Sequence, residues 1–566
     1  MKTKYILLIL TAWITASCSL QEDTEGFSTP GDFYKTKTQC QSAVNSCYIP
    51  LKNLYTYKMM IATEGVTDLM YIASGTQDAQ LDISPSQPRF GADMWTYGYR
   101  GVMYCNMAVT GIENSPIDEK DRNSLVAEAK VLRAFYYYLL TSFFGDVPFY
   151  TDDVSDHEVL DRVAKLPRMS AEATRTALIE DLESCLGALP LIRTSEAAGN
   201  RAGAAMGHML IAKLAMWNKD YDKALEAIAV LEQIYGDDLS VYPVSDIPFR
   251  MKNTPESIFE VQHTYTAGGL IYTSNVASIC MPYPRNSDNI YSNVVIEELG
   301  DAATTWSPLR PNSFFYGNLM PEGGEDLRRD MQIITEWNGV KFTSGDAIVT
   351  RPFMGPKFWC PDLQAAYDSN NYKVFRYADA VLMAAECYCA LLDKDKAMEY
   401  LNKVKRRAGI AEYTRFRTYP LLLNEIQNER GRELLGEFQR KFDMVRWGIW
   451  YERTAALSDY AKVKTSIQPC HEYYPIPDTQ VVVDDMAPFN YVRPDCRPIL
   501  ILSGDREREM LGRYEENAYF WRMMRVAGHP DVRIYEFDGF DHGNMPQAGH
   551  FAAVRYIREM ERKMER

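Results

Sequence analysis

The sequence predicts a mainly α-helical protein with tetratricopeptide-like helical hairpins, one long loop-rich insertion, and a short C-terminal α/β (βαβα) fragment. Three observations carry that prediction. Apolar residues recur at helical spacing over long stretches, as at Leu125, Ala129, Leu132, Phe135 and Leu139. Two helix–turn–helix segments of like form lie far apart, at 204–234 and 378–407. Residues 262–375, by contrast, are rich in Gly, Pro, Asn, Tyr and Trp and carry no sustained period, the mark of a functional insertion.

Met1, Lys2 and Lys4 precede an uncharged apolar run from Tyr5 to Ile14, and small residues lead to Cys18. Residues 1–17 therefore read as a secretory signal peptide, too short to span a bilayer as a helix. Thr15-Ala16-Ser17-Cys18 resembles a bacterial lipobox with Cys18 as the acylated residue, although Thr15 stands where Leu is usual. An ordinary leader beside a chance cysteine is the alternative. Acylation would tether the protein to outer-membrane lipid, at about 0.8 kcal/mol per buried methylene. The acidic stretch after Cys18, Ser19 to Asp23, resembles the surface-export signal of Bacteroidetes lipoproteins.

Gln39–Leu54 is amphipathic, and 66–93 reads as loops. A helix over Leu125–Phe144 stops at Gly145-Asp146-Val147-Pro148, and another over Ala171–Leu189 stops at Pro190. The first hairpin joins Ala204–Trp217 to Lys223–Ile234; the second joins Ala378–Leu392 to Lys396–Arg407. Small residues in the first helix of each allow a close antiparallel partner.

The 566 residues include 61 Lys and Arg against 76 Asp and Glu, a formal charge of −15, which argues against a non-specific nucleic-acid binder. Ten cysteines besides Cys18 show no CxxC pair, the seven histidines form no HExxH, and Asp393-Lys394-Asp395 lacks the remainder of a calcium loop. Buried thiols are expected, no metal or other cofactor is expected, and the disulfide state is open. There are 37 tyrosines, a number that suits either a core or a surface on which ligands stack.

Several ordered motifs resemble the SusD/RagB family. They include Glu128 to Tyr137 followed by Phe144 to Pro148, Trp95 with Tyr104 to Asn106, Ile179 to Leu182, and Pro255 to Phe259. Arg376 to Glu386, Arg406 to Gly409, Glu429-Arg430 with Glu433-Leu434, Arg446-Trp447-Gly448 and Tyr474 to Pro477 continue the series. Within these motifs Arg133, Glu386, Arg430 and Arg446 lie among apolar residues, so buried charges paired with one another are expected. Trp95 is assigned to the core.

The resemblance implies a SusD-like binding domain over 18–487, held at the outer membrane by its lipid and facing the cell exterior. It further implies capture of an oligosaccharide or polysaccharide and delivery to a SusC-like TonB-dependent transporter, with no catalysis. Capture of another nutrient, such as a peptide, is the alternative. Sugar faces stack on aromatic rings while polar groups bond the hydroxyls. The candidates in the irregular segments are accordingly Asp68, Tyr71, Gln77, Tyr283, Trp306, Phe315 and Tyr316.

Residues 488–566 depart from that family. An apolar strand ending at Gly504 leads to Asp505, a helix runs Arg513–Val526, a strand Val532–Phe537 leads to Asp538 to Gly543, and a helix Gly549–Met564 follows. This resembles the last quarter of an α/β-hydrolase of the esterase kind, with Asp505 and His542 at the triad acid and histidine positions. No G-x-S-x-G elbow occurs anywhere in the chain, so these two residues are vestigial and no catalytic group is expected. An esterase on acylated glycans is the rival reading.

Overall fold

The computed structural model describes residues 33–72, 78–265, 272–282, 305, 308–337, 340–341, 352–361, 363–477, 498–506, 513–540 and 544–564. Two compact units divide the chain: Met1–Ile83 with Pro88–Pro475, and Ser84–Gln87 with Ile476–Arg566.

The large unit is built from α1 (Lys37–Ser46), α2 (Phe90–Glu113), α3 (Glu119–Phe144), α4 (Ala171–Cys185), α5 (Ala204–Trp217), α6 (Tyr221–Tyr235), α7 (Tyr377–Ala390), α8 (Lys394–Arg407), α9 (Tyr419–Glu433), α10 (Arg440–Arg446) and α11 (Trp450–Leu457). From Leu125 onward α3 is buried on nearly every side, as a helix at the centre of a core must be. Its Phe135 meets Phe259 at 5.5 Å and Phe375 at 5.6 Å between ring centroids, which joins the bundle to a two-stranded sheet of β2 (Ser257–Val261) and β6 (Tyr372–Arg376).

Helix α2 corrects the expectation of loops over 66–93, since it begins at Phe90. Gly91, Gly98, Gly101 and Gly111 lower its intrinsic propensity and hide its period. Packing reverses that penalty. At Gly101 a Cβ would sit 2.3 Å from the Tyr136 ring, so the glycine lets α2 lie against α3.

The hairpins form as predicted. Each turn ends its first helix with a left-handed residue, Lys219 at φ 61° and Leu392 at φ 63°. Each then starts its second helix on an aspartate: Asp220 accepts from the Lys223 amide and Asp393 from the Lys396 amide, both at 3.1 Å. Helix α6 packs on α7, so the hairpins are spatial neighbours despite 140-odd intervening residues (on the order of a domain length).

Buried charges link these helices. Arg376 reaches Glu256 at 2.9 Å and Glu433 and Glu437 at 2.8 Å, while Arg328 reaches Glu429 at 2.8 Å and Glu433 at 2.9 Å. Of the four charges expected to pair together, only Arg446 and Glu386 do so. Arg430 instead holds Asp379 at 2.9 Å and Asp443 at 2.7 Å, and Arg133 holds Asp181 at 2.6 Å. Trp95 is half-buried against Tyr99 and Phe144. The described cysteines are free thiols, most of them buried.

The small unit contains β7 (Ile499–Gly504), α12 (Arg513–Val526), β8 (Val532–Phe537) and α13 (Met545–Met564). The strands pair in parallel, Ile499 opposite Val532 through Gly504 opposite Phe537. The two strands among the described residues cover little surface: four of the six β7 residues are half-exposed, and Phe551, Val554 and Ile557 of α13 stand in solvent. Among the described residues no helix is long and apolar enough to cross a membrane.

Candidate functional site

The irregular face of the large unit is a set of short strands on a buried polar base. β1 (Met70–Ile72) pairs antiparallel with β3 (Leu309–Pro311), placing Tyr71 opposite Arg310. The Arg310 guanidinium lies 3.5 Å over the Phe353 ring in β5 (Phe353–Met354), and β5 pairs with β4 (Ile333–Ile334). Three residues beyond Ile334, half-buried Trp337 packs its ring 4.7 Å from Trp359.

Asp68 belongs beneath this face and is not a ligand residue. It is fully buried; Oδ1 accepts from Arg440 Nε at 2.8 Å, and Oδ2 accepts from Arg440 at 2.7 Å and Arg453 Nε at 2.6 Å. Burial alone would raise its pKa, but the two guanidiniums outweigh that and hold the carboxyl below the ordinary range. Arg453 carries the support outward, its guanidinium 5.0 Å over the ring of Phe314. Asp459 fixes the same segment by accepting from the Ser313 amide at 2.5 Å and hydroxyl at 2.8 Å, and Asn312 donates to Thr67 O at 3.0 Å.

The next residues, Phe315–Leu319, make one wide helical turn in which Phe315 and Tyr316 both donate backbone N–H to Asn312 O. Phe315 is completely buried, so it corrects the expectation of a ligand contact: it anchors the turn. Tyr316 and Phe314 are half-exposed, and Phe314 is the aromatic that sequence reasoning passed over for its neighbour. Only the local backbone decides which of three consecutive positions points inward. Tyr71, 8% exposed, serves mainly to pack the ribbon.

Gln77, Tyr283, Trp306, His542 and Cys18 lie outside the described residues. One neighbour of each of Gln77, Tyr283 and Trp306 is described. Asp78, next to Gln77, accepts from the Phe90 amide at 3.1 Å and the Tyr474 hydroxyl at 3.2 Å. Thr305 Oγ1 donates to Pro282 O at 3.0 Å, bringing together the chain ends that adjoin Tyr283 and Trp306. In the small unit Asp505 directly follows β7 and accepts from the Gly539 amide at 2.7 Å, holding the turn after β8. Among the described residues no group of three or more His, Cys, Asp or Glu is arranged to hold a metal.

Residues 363–489 match the model of the SusD family, and residues 32–206 match a model described as "Starch-binding associating with outer membrane". The chain belongs to the SusD family. SusD-like protein P25 of Formosa agariphila is 25% identical over 525 residues, covering 85% of this chain and 96% of that protein. Surface glycan-binding protein A from Bacteroides uniformis superposes with a TM-score of 0.63 at 22% identity, over 80% of this chain and 98% of the other. Surface glycan-binding protein A from Bacteroides thetaiotaomicron in complex with laminarihexaose gives 0.61 at 21% identity, over 78% and 97%. At these identities the structural likenesses establish the SusD fold. Neither family match extends past residue 489, and the hydrolase resemblance of the tail finds no support in the comparisons.

Proposed function

We propose that this SusD-family chain is a surface glycan-binding protein, lipid-anchored through Cys18 at the outer membrane, that passes oligosaccharide to a SusC-like TonB-dependent transporter. It acts by binding, without a chemical step. The observation that carries the reading is the fold shared with a protein solved in complex with laminarihexaose, over 97% of that protein's length. The irregular face supplies suitable chemistry, with Phe314 and Tyr316 half-exposed on a turn braced from below. Tyr283, Trp306 and Gln77 adjoin segments whose ends the scaffold fixes, and they stay candidates for the same face.

Affinity electrophoresis of the full chain tests this. Retardation in gels containing laminarin or another polysaccharide, weakened in Phe314→Ala and Tyr316→Ala, is expected. Free migration in every glycan gel overturns the reading and favours a non-glycan nutrient. Co-purification of the tagged lipoprotein with a TonB-dependent transporter from detergent-solubilised outer membranes tests the delivery step. Recovery of the protein without one overturns it.

A further inference from the structure

The turn Phe315–Leu319 runs straight into a cavity of about 210 Å³ in the large unit, lined in part by Leu319 and Met320. Pro321, Gly324 and Glu325 of the same lining are exposed, so the cavity opens to solvent where the candidate glycan face ends. Its volume is below the roughly 300–1,000 Å³ of whole-ligand sites, a size for one substituted sugar and not for a chain. Three cations from separate segments line it: Arg329, Lys405 of α8 and Arg432 of α9.

The acids around these cations are already committed. Glu429 pairs with Arg432 at 2.7 Å and with Arg328 at 2.8 Å, Glu425 takes Arg432 and the Tyr413 hydroxyl, and both oxygens of Asp326 hold Arg328. Lys405 is left out. It is only 6% exposed, yet among the described residues its ammonium makes no hydrogen bond and no ion pair. The Tyr413 ring, 3.9 Å away, steadies the charge from one side without supplying an oxygen. Arg329 gives one nitrogen to Asp330 at 2.9 Å, and its buried Nε has no hydrogen-bond partner. A buried donor without an acceptor is costly, and more so when it is charged. Two of them at one cavity point to oxygens that arrive with a ligand.

We propose that this cavity receives the anionic group of a charged glycan, a carboxylate or a sulfate ester carried on the sugar. Lys405 Nζ and Arg329 Nε donate to its oxygens, which gives each a charge-assisted hydrogen bond. The formal charge of −15 does not oppose this, because at physiological salt it is screened beyond about 8 Å and the local donors decide. Glu325, exposed in the lining, is the acid that works against the ligand at close range. The choice of a glycan rests on the reading above and extends it to the class of sugar.

Affinity electrophoresis of the full chain in gels of laminarin, alginate and λ-carrageenan tests this, with a neutral glucan set beside a polyuronate and a sulfated galactan. At least one anionic polysaccharide should bind with a dissociation constant tenfold or more below that of laminarin, and which one does so identifies the charged group. Lys405→Gln and Arg329→Gln should each raise that constant roughly tenfold, the loss of one charge-assisted hydrogen bond, and leave retardation by laminarin unchanged. Glu325→Gln should lower it. Retardation by both anionic polysaccharides no stronger than by laminarin overturns the proposal, as does a preference that survives in both cation variants. Equal weakening on laminarin and on the anionic polysaccharide also overturns it, since that marks a purely structural role. Such a failure beside intact retardation by laminarin sinks this site alone, whereas free migration in all three gels removes the glycan reading with it.

Discussion

Arg453 donates from Nε to Asp68 Oδ2 at 2.6 Å, and through that one contact the centre of the helical core supports a residue of the irregular face. Asp68 also receives Arg440 bidentately, so one carboxylate balances two guanidiniums that are largely out of water. Asp68→Asn leaves both without a counter-charge. We expect a loss of about 3–5 kcal/mol of stability, the usual result of breaking a buried pair from one side. Urea unfolding at neutral pH measures it, and a loss under about 1 kcal/mol contradicts the bracing role.

The exposed end of that brace yields a separate expectation. Arg453→Lys keeps the charge but gives up the planar group that covers Phe314. Retardation by a bound polysaccharide should fall in this variant. Phe314→Ala should reduce retardation at least as far, with little change in unfolding midpoint because the ring is half-exposed. Equal retardation of wild type and both variants would show that the Phe314 turn lies outside the binding face.

What the sequence made legible follows from which interactions are local. Helices such as α5, found at the predicted Ala204–Trp217, and α12, at Arg513–Val526, carry their period in their own residues. Helix α2 does not, because its four glycines make sense only once Tyr136 is known to occupy the space beside Gly101. The buried charges were legible as a class but not as partners: Arg446 finds Glu386 as expected, yet Arg430 finds Asp379 and Asp443, which the motifs do not single out. In the irregular segment, composition does not decide between neighbouring aromatics: Phe315 turns inward while Phe314 rests on Arg453. Asp68 looked like a ligand residue because a loop carboxylate usually is polar surface, and nothing in the sequence reveals that Arg440 and Arg453 converge on it.

Gly101 gives a test of the α2–α3 contact. Its absent Cβ is replaced by the Tyr136 ring, which is itself held by a hydroxyl bond to Cys47 O at 2.6 Å and has no room to retreat. Gly101→Ala adds intrinsic helix propensity of about 1 kcal/mol and overpacks the interface by about 1–3 kcal/mol. We expect net destabilisation, read as a lower thermal midpoint. The double variant Gly101→Ala, Tyr136→Phe should recover part of it, because the freed ring can shift. A raised midpoint in Gly101→Ala alone contradicts the close approach.

Glu64 sets a pH dependence with an unusual sign. It is fully buried, and its oxygens accept from the amides of Gln439 at 2.8 Å, Arg440 at 3.1 Å and Gly436 at 3.3 Å. Burial dominates over these amides and the nearby Arg440 charge, pushing the carboxyl up to about 7 from an ordinary 4.5. Between those values the folded chain binds the proton and the unfolded chain has released it, so stability falls as pH rises. The full penalty, about 3 kcal/mol, is in place above pH 7 and absent below the unfolded value. Glu64→Gln removes the titration while keeping the shape. Any constant cost of turning an amide NH2 toward backbone donors shifts its whole curve, so the quantity to compare is slope. From pH 5 to pH 8 the stability of wild type relative to the variant should decline by about 2–3 kcal/mol in chemical denaturation. A flat difference across that interval means that Glu64 titrates as an ordinary carboxylate in the fold, with the three amides and not burial governing its charge.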